Sequence, residues 1–394
     1  ELDVLYEVPF QAHAPMEPLS CMVTLKPDGG TYLVTGSQML GVDHMVACQR
    51  LGVGPEKVVI ENSYLGGGFG RRANPASDFT LEALEVSLAA KDLNAPIKTV
   101  WSREDDIRGG WYRPMYANRM TASFKDGKIS GWRHRIVGQS MMEGTILASA
   151  MIQDGIDTST VEGAWHLPYA VPNKKTELHT VDIPVPIQWW RSVGHSNTAF
   201  AKESFIDECA ERLNKDPYQF RRELLSEHPR LLRVLDLAAE KSGWDEKPAE
   251  GVGRGIAVHE SFESFVAHVV EASVVDGIPK IHRIVCAVDC GPVVNPDQVE
   301  AQLQGGAMFA LSSVLEGEIR FKNGRVMESN FGDFKVVRMN QSPKIECHIV
   351  PSTDSMGGLG EPGVPTVASA VCSAIHAACR KRIRRLPIGK QLQG

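Results

Sequence analysis

The stretch Ser355-Met-Gly-Gly-Leu-Gly-Glu-Pro-Gly-Val-Pro365 places three glycines before one acid, Glu361, and stiffens the chain beyond that acid with Pro362 and Pro365. Glycine opens backbone angles closed to other residues and proline fixes φ, so such a segment holds a single carboxylate in a set place. Behind it, Thr366-Val-Ala-Ser-Ala-Val-Cys-Ser-Ala-Ile-His376 is a small-residue, apolar run that reads as a buried helix. A carboxylate among apolar neighbours has a raised pKa and suits a general base. The same residues also fit a glycine-rich helix entry whose acid caps the helix or faces solvent, and the stretch alone leaves both readings open.

Working outward, the chain carries 394 residues and a formal net charge of −6, from 42 Lys and Arg against 48 Asp and Glu. That length supports more than one domain, and the acidic balance gives no reason to expect a nucleic-acid partner. Its few basic clusters, Arg71-Arg72 and Arg380 to Arg385, are short. No apolar run reaches bilayer length. Eight cysteines without a CxxC pair or Cys/His spacing read as buried small hydrophobes rather than a zinc or iron–sulfur site. The chain opens on Glu1 with residues that already alternate as a strand, which reads as a piece of a longer product with no targeting segment of its own.

Upstream, Leu2 to Val8, Cys21 to Leu25, Thr31 to Thr35 and Lys57 to Glu61 read as strands, with Pro27-Asp-Gly-Gly30 as a turn. Ala12-His-Ala-Pro-Met-Glu-Pro18 is a proline-marked loop. Helices are expected over Asp43 to Leu51 and Asp78 to Lys91, and between them lies Leu65-Gly-Gly-Gly-Phe-Gly-Arg-Arg72. Strand, glycine run and helix together make an anion nest. The spacing departs from both familiar nucleotide loops, because no GK[ST] follows and Arg71 stands where G-x-G-x-x-G needs its third glycine. A plain tight turn remains the alternative. Arg103 to Arg108 reads as a solvated, charged loop, and Phe124 to Ile129 as a two-residue hairpin.

In the middle of the chain, Gln188-Trp-Trp-Arg-Ser-Val-Gly-His-Ser-Asn197 joins Trp189 and Trp190 to Arg191, a combination suited to a flat or anionic ligand or to closing a core. Ala201 to Leu213 reads as an amphipathic helix, followed by helices over Pro217 to Ser226 and Pro229 to Ser242. Ala249-Glu-Gly-Val-Gly-Arg-Gly255 is the expected domain boundary, dividing residues 1–248 from 249–394. Long strands over Ser264 to Val274 and Ile281 to Val288 flank an Asp276-Gly277 turn. The helix Asn295 to Val314 sets Gln302 and Gln304 against Gly305-Gly306, which suggests close approach of a backbone or ligand. Strands and helices mix without strict alternation, so the expected class is α+β with mixed and antiparallel sheets and packed helices.

Five separated segments, Ala12 to Pro18, Leu65 to Arg72, Trp190-Arg-Ser-Val-Gly194, Asn295-Pro with Gln302, and Gly360-Glu-Pro362, occur in the order found in one family. Over Ala12 to Leu386 the chain resembles the molybdenum-binding subunit of the xanthine oxidase family of molybdenum hydroxylases, most of all its isoquinoline 1-oxidoreductase and membrane-bound aldehyde dehydrogenase branch. The resemblance implies the aldehyde oxidase/xanthine dehydrogenase molybdopterin-binding fold. It also implies that Gln38 approaches an apical ligand of molybdenum, that Gly67, Gly68, Phe69 and Gly70 present backbone N–H groups to the cofactor, and that Gln302 contacts it. By the same carry-over Arg191 helps place substrate and Glu361 is the base that deprotonates the attacking oxygen. The bulk of Trp189 and Trp190 beside Arg191 suits them to line the substrate pocket, for a flat ring or for a small aldehyde in a narrowed channel.

The implied cofactor is molybdopterin cytosine dinucleotide, its molybdenum held through the pterin dithiolene rather than by protein ligands. The implied substrate is an aldehyde or an N-heteroaromatic ring. The implied partners are an iron–sulfur subunit carrying two [2Fe–2S] clusters and, onward, a cytochrome c subunit, at the periplasm or the periplasmic face of a membrane. Two departures qualify the match. The family's Met-Gly-Gln-Gly type of loop is absent, so an N-terminal portion or companion chain is expected to complete the site. No counterpart to the additional arginine of purine-oxidising members stands near Thr160. Two competing expectations are a dinucleotide-dependent oxidoreductase built on Leu65 to Gly70 and a structural subunit without cofactor.

Overall fold

The computed structural model describes residues 1–393. In chain order the elements begin with β1 (Leu2–Val8), β2 (Ser20–Leu25), β3 (Thr31–Thr35), α1 (Leu40–Leu51), β4 (Val58–Asn62), α2 (Asp78–Ala89), β5 (Ile97–Val100) and α3 (Arg103–Arg108). They continue with β6 (Tyr116–Lys125), β7 (Lys128–Gly138), α4 (Ala148–Met151), the two-residue strands β8 (Ile152–Gln153) and β9 (Ile156–Asp157), and β10 (Lys174–Thr180). Then come α5 (His195–Arg212), α6 (Pro217–Leu224), α7 (Pro229–Ser242), β11 (Val252–Ser261), β12 (Ser264–Val275), β13 (Ile278–Asp289) and α8 (Pro296–Leu315). A small hairpin of β14 (Phe321–Lys322) and β15 (Arg325–Val326), then β16 (Lys344–Ile349) and α9 (Val367–Cys379), complete the series.

Three four-stranded sheets repeat one plan, two antiparallel pairings and a parallel strand at one edge. Their orders are β4-β3-β2-β5, β1-β6-β7-β10 and β11-β12-β13-β16, with β4, β10 and β16 as the parallel edges. The class is α+β with mixed sheets, as expected. Hairpins close where Asp-Gly and Asn-Gly dipeptides supply positive φ, at Asp126-Gly127, Asp276-Gly277 and Asn323-Gly324.

Three expectations need correction. The helix read from Ala201 begins at His195, and it is not amphipathic: residues 196–210 are all buried, because α5 runs between the sheet of β1 and β6 on one side and α9 with β11 on the other. Arg103 to Arg108 is a helix, since Ser102 and Asp105 form a reciprocal capping box at its start. Arg103 is partly buried, its side chain largely covered, rather than solvated. It pairs with Asp106 and donates to the Met16 carbonyl at 2.9 Å, clamping the proline-marked loop. Third, Val252 to Gly255 of the glycine-rich stretch lies within β11, a strand the sequence did not announce. A Cβ on Gly253 would stand 2.2 Å from the Ala374 carbonyl oxygen, and one on Gly255 2.1 Å from that of Ala370. These glycines let β11 lie directly on α9.

That contact places the loop Ser355 to Pro365. α9 is apolar and buried from Val367 to Ile375, and it is seated on β11 and β12 and beside α5 and α8. Gly306 of α8 meets Gly363 with 3.1 Å between a built Cβ and the Gly363 carbonyl carbon, so of the glycine pair in α8 it is Gly306 that serves close approach of a backbone, while Gly305 faces open space. The loop bearing Glu361 is thus wedged between the buried helix α9 and the inner face of α8.

Candidate active site

The glycine run Gly66 to Gly70 follows β4 and is shaped by its neighbours. Phe69 adopts φ +56°, and Gly67 and Gly70 have φ +98° and +106°. A Cβ on Gly68 would stand 2.3 Å from Gln38 Oε1, and one on Gly70 2.4 Å from the Trp189 carbonyl oxygen. The proline-marked loop braces this cradle. Glu17 Oε2 accepts from the Gly66 N–H and from Arg72, each at 2.8 Å. His13 Nε2 donates to the Trp189 carbonyl at 2.9 Å, and burial pushes its pKa down to about 3, so it serves as a neutral strut. Gln38 accepts the Gly70 N–H at 3.1 Å. Among the described residues the N–H groups of Gly67, Gly68 and Phe69 have no protein acceptor. A bare backbone nest of this kind suits the oxygen or sulfur atoms of a bound group.

Opposite stands the loop after β10. The Arg191 N–H donates to the Phe69 carbonyl at 2.9 Å, joining the two loops. Arg191 Nε donates to the Gly360 carbonyl at 2.7 Å, and its Nη2 donates to Gln302 Oε1 at 3.0 Å. Arg191 therefore ties three segments that are far apart in sequence, with much of its donor capacity spent on the protein itself. Ser192, at φ +81°, donates its N–H to Glu361 Oε1 at 2.8 Å and its hydroxyl to the Glu361 carbonyl at 2.6 Å. Burial, opposed by the Ser192 hydrogen bond and the Arg191 charge, raises the Glu361 pKa.

A cavity of about 600 Å³ opens among these groups, and Gln38, Phe69, Gly70, Trp189, Trp190, Arg191, Gln302 and Glu361 all border it. Gly67 and Gly68 lie in the turn beside it. The two tryptophans differ. Trp190 is buried, donates to the Ala12 carbonyl at 3.3 Å and stacks on Phe309 at 4.5 Å, so it closes the core as well as the cavity. Trp189 is only partly buried and borders the cavity beside Gly70. Sequence reasoning missed part of the wall: Met142, Leu147, Met151, Ser159 and a second acid, Glu162. Residues 144–165 read as irregular, with no periodicity to point inward. Phe309, which stacks on Phe69 at 4.4 Å, stood on α8 one turn beyond the glycine pair and carried no signal of its own.

Two family models describing a molybdopterin cofactor-binding domain match residues 2–225 and 230–343. The chain belongs to the molybdopterin cofactor-binding family. It is a molybdenum-binding chain of the xanthine oxidase kind, as the resemblance implied. As a member of this family it is 30% identical over 95% of its length to the isoquinoline 1-oxidoreductase subunit beta of Brevundimonas diminuta, covering 48% of that protein. It is 28% identical over 98% of its length to the membrane-bound aldehyde dehydrogenase [pyrroloquinoline-quinone] of Gluconacetobacter polyoxogenes, covering 53% of it. The chain thus spans about half the length of these curated relatives. Among solved structures, quinoline 2-oxidoreductase from Pseudomonas putida 86 superposes with a TM-score of 0.82 over 99% of this chain and 75% of that one, at 14% identity. That likeness concerns the fold. The residues present fit a molybdopterin: a glycine cradle with free N–H groups, an amide on each side, and no cluster of His, Cys, Asp and Glu among the described residues that would hold a bare metal ion.

Proposed function

We propose that this chain forms one wall of the active site of a molybdenum hydroxylase, which hydroxylates an electron-poor carbon of an aldehyde or N-heteroaromatic compound with water as the oxygen source. The observation that carries this reading is the convergence of Gln38, the Phe69–Gly70 turn, Arg191, Gln302 and Glu361 on one cavity. Gln38 and the N–H groups of Gly67, Gly68 and Phe69 would hold the cofactor on one side, and Gln302 on the other. When bound, the molybdopterin supplies the two-electron redox chemistry and presents the oxygen that attacks substrate.

The protein's own task is to place groups and move a proton. Glu361 Oε1 is occupied by the Ser192 N–H, which leaves Oε2 as the oxygen that accepts the proton from the attacking group. Its raised pKa strengthens it as a base, while Arg191 keeps enough positive charge nearby for ionisation. Proline on the C-terminal side and the Ser192 hydroxyl on the Glu361 carbonyl fix the carboxyl against the glycine cradle. Met142, Leu147, Met151 and Trp189 form an apolar wall suited to a flat or small organic substrate and to excluding water.

Several features of the whole protein belong to the same proposal: the cytosine dinucleotide form of the cofactor, electron transfer to an iron–sulfur subunit and a cytochrome, a periplasmic site of action, and an N-terminal portion or companion chain that completes the cofactor's enclosure. Residues 1–248 and 249–394 stand in it as two cofactor-binding portions. The reading follows the matched family models rather than the quinone in the name of the Gluconacetobacter relative. Its test is metal and pterin analysis of the intact protein, with a screen of acetaldehyde, quinoline and nicotinate using an artificial electron acceptor. Molybdenum with turnover of at least one of them is the expected result; an intact protein without molybdenum or pterin would overturn it.

A further inference from the structure

Glu162 borders the cavity that holds Glu361, and a polar chain runs from it into the interior. Its Oε2 accepts the Gly194 N–H at 3.3 Å and lies 3.8 Å from His195 Nε2. His195 Nδ1 is 2.8 Å from His259 Nε2, and His259 Nδ1 is 2.8 Å from the amino group of Lys202, which is buried in α5. With Lys202 as its ammonium form, which can only donate, the order of donors follows. The Lys202 amino group donates to His259 Nδ1, so the His259 proton sits on Nε2 and is donated to His195 Nδ1. The His195 proton then sits on Nε2, the atom nearest Glu162. Burial holds both histidines neutral, pushing His195 down to about 3 and His259 well below its ordinary value.

Gly163 makes this arrangement possible. It has φ +74°, and a Cβ there would stand 2.7 Å from His259 Cε1 and 2.9 Å from His195 Nδ1. The backbone next to Glu162 thus closes directly on the histidine pair.

The Gly194 N–H bonds Oε2 and His195 Nε2 lies on the same side, beyond hydrogen-bond distance, which leaves Oε1 as the oxygen free to carry a proton. Burial, with the nearby Glu361 and Asp157 charges, raises the Glu162 pKa to about 7, against the Gly194 hydrogen bond. The cavity therefore pairs a base with a second carboxyl that donates a hydrogen bond in its neutral form. The surrounding wall, Trp189, Phe69, Met142, Leu147 and Met151, is apolar and partly aromatic, and a cavity of about 600 Å³ admits a two-ring compound. A ring nitrogen is a neutral acceptor that such a donor recognises, whereas a carboxylate substrate would meet two acids.

We propose that Glu162 is a substrate-binding residue whose carboxyl donates a hydrogen bond to the ring nitrogen of an N-heteroaromatic substrate, with His195, His259 and Lys202 positioning it from behind. This rests on the hydroxylase reading above. Quinoline and naphthalene differ by one nitrogen in place of C–H, so their binding isolates the contact. In the full-length, cofactor-loaded protein without electron acceptor, binding is read from quenching of tryptophan emission. The wild type is expected to prefer quinoline about tenfold, the value of one such hydrogen bond. Glu162→Leu loses the preference, and Glu162→Gln, whose amide still donates, keeps part of it. His195→Phe reduces the preference while leaving naphthalene binding unchanged, whereas a merely structural role would weaken both rings alike. The proposal is overturned if Glu162→Leu keeps the wild-type preference or weakens both rings equally. A wild type that shows the preference but hydroxylates nothing would instead sink the hydroxylase reading, because the binding measurement needs no turnover.

Discussion

Two buried sets of charges in this chain are treated in opposite ways. Inside the fold, on α5, Glu203 and Asp207 meet Arg221: Arg221 Nε donates to Glu203 Oε2 at 3.0 Å, its Nη1 pairs with Asp207, and the Tyr169 hydroxyl donates to Glu203 at 2.9 Å. Glu208 has Tyr6 and Arg384. Every one of these carboxylates has a cation. At the cavity, Glu361 and Glu162 have backbone N–H groups and no ion pair with Arg191, whose Nε and Nη2 go to Gly360 and Gln302. Carboxyls left without a cation in one place and fully matched in another mark the first as a site of chemistry and the second as a structural brace.

The contrast can be broken from either side. The largest effect is expected at the pocket: Glu361→Gln in the full-length enzyme should lower turnover by about 10²–10⁴-fold, the usual worth of a positioned general base, with molybdenum content unchanged. Steady-state kinetics with an artificial acceptor beside metal analysis reads both. On the structural side, Arg221→Met should cost about 3–5 kcal/mol in a denaturant titration by stranding Glu203 and Asp207. Full stability in that variant would erase the distinction.

Gly70→Ala comes next, since it combines φ +106° with a 2.4 Å approach to the Trp189 carbonyl; about 1–3 kcal/mol and a fall in cofactor occupancy are expected, read by melting and molybdenum content. The smallest effect concerns Glu162. Its folded pKa is raised to about 7, so the neutral form favours folding below the unfolded value and that stability is lost as pH rises through 7. Glu162→Gln, which cannot ionise, should therefore match the wild type near pH 4 and melt at a higher temperature above pH 7. Equal melting curves across that range would remove the strain assigned to this acid.

Much of the frame was legible because local signals agreed with the global fold. Asp-Gly and Asn-Gly turns set the hairpins, and alternation set β1, β2 and β3 in place to within a residue. The readings failed where burial erased the pattern. α5 is enclosed on all sides, so its periodicity says nothing of its start. The glycines of β11 looked like a linker because their purpose, room for α9, lies more than a hundred residues away. The site divides along the same line. Glu361, Gln38, Arg191 and Gln302 sit in motifs with glycine or proline around them, and the structure brings these residues to one cavity. Glu162 sits in an irregular segment, and its partners His195, Lys202 and His259 come from other elements, so no spacing could have joined them.

The central claim is that Glu361 is the base of this pocket, and the dependence of kcat/KM on pH tests it most directly. In the full-length enzyme, activity should rise with pH along a limb whose midpoint lies above the ordinary glutamate value of 4.5, as Glu361 loses its proton. That limb should be absent from the residual activity of Glu361→Gln. A limb that persists unchanged in Glu361→Gln, or turnover near the wild-type rate, would contradict it.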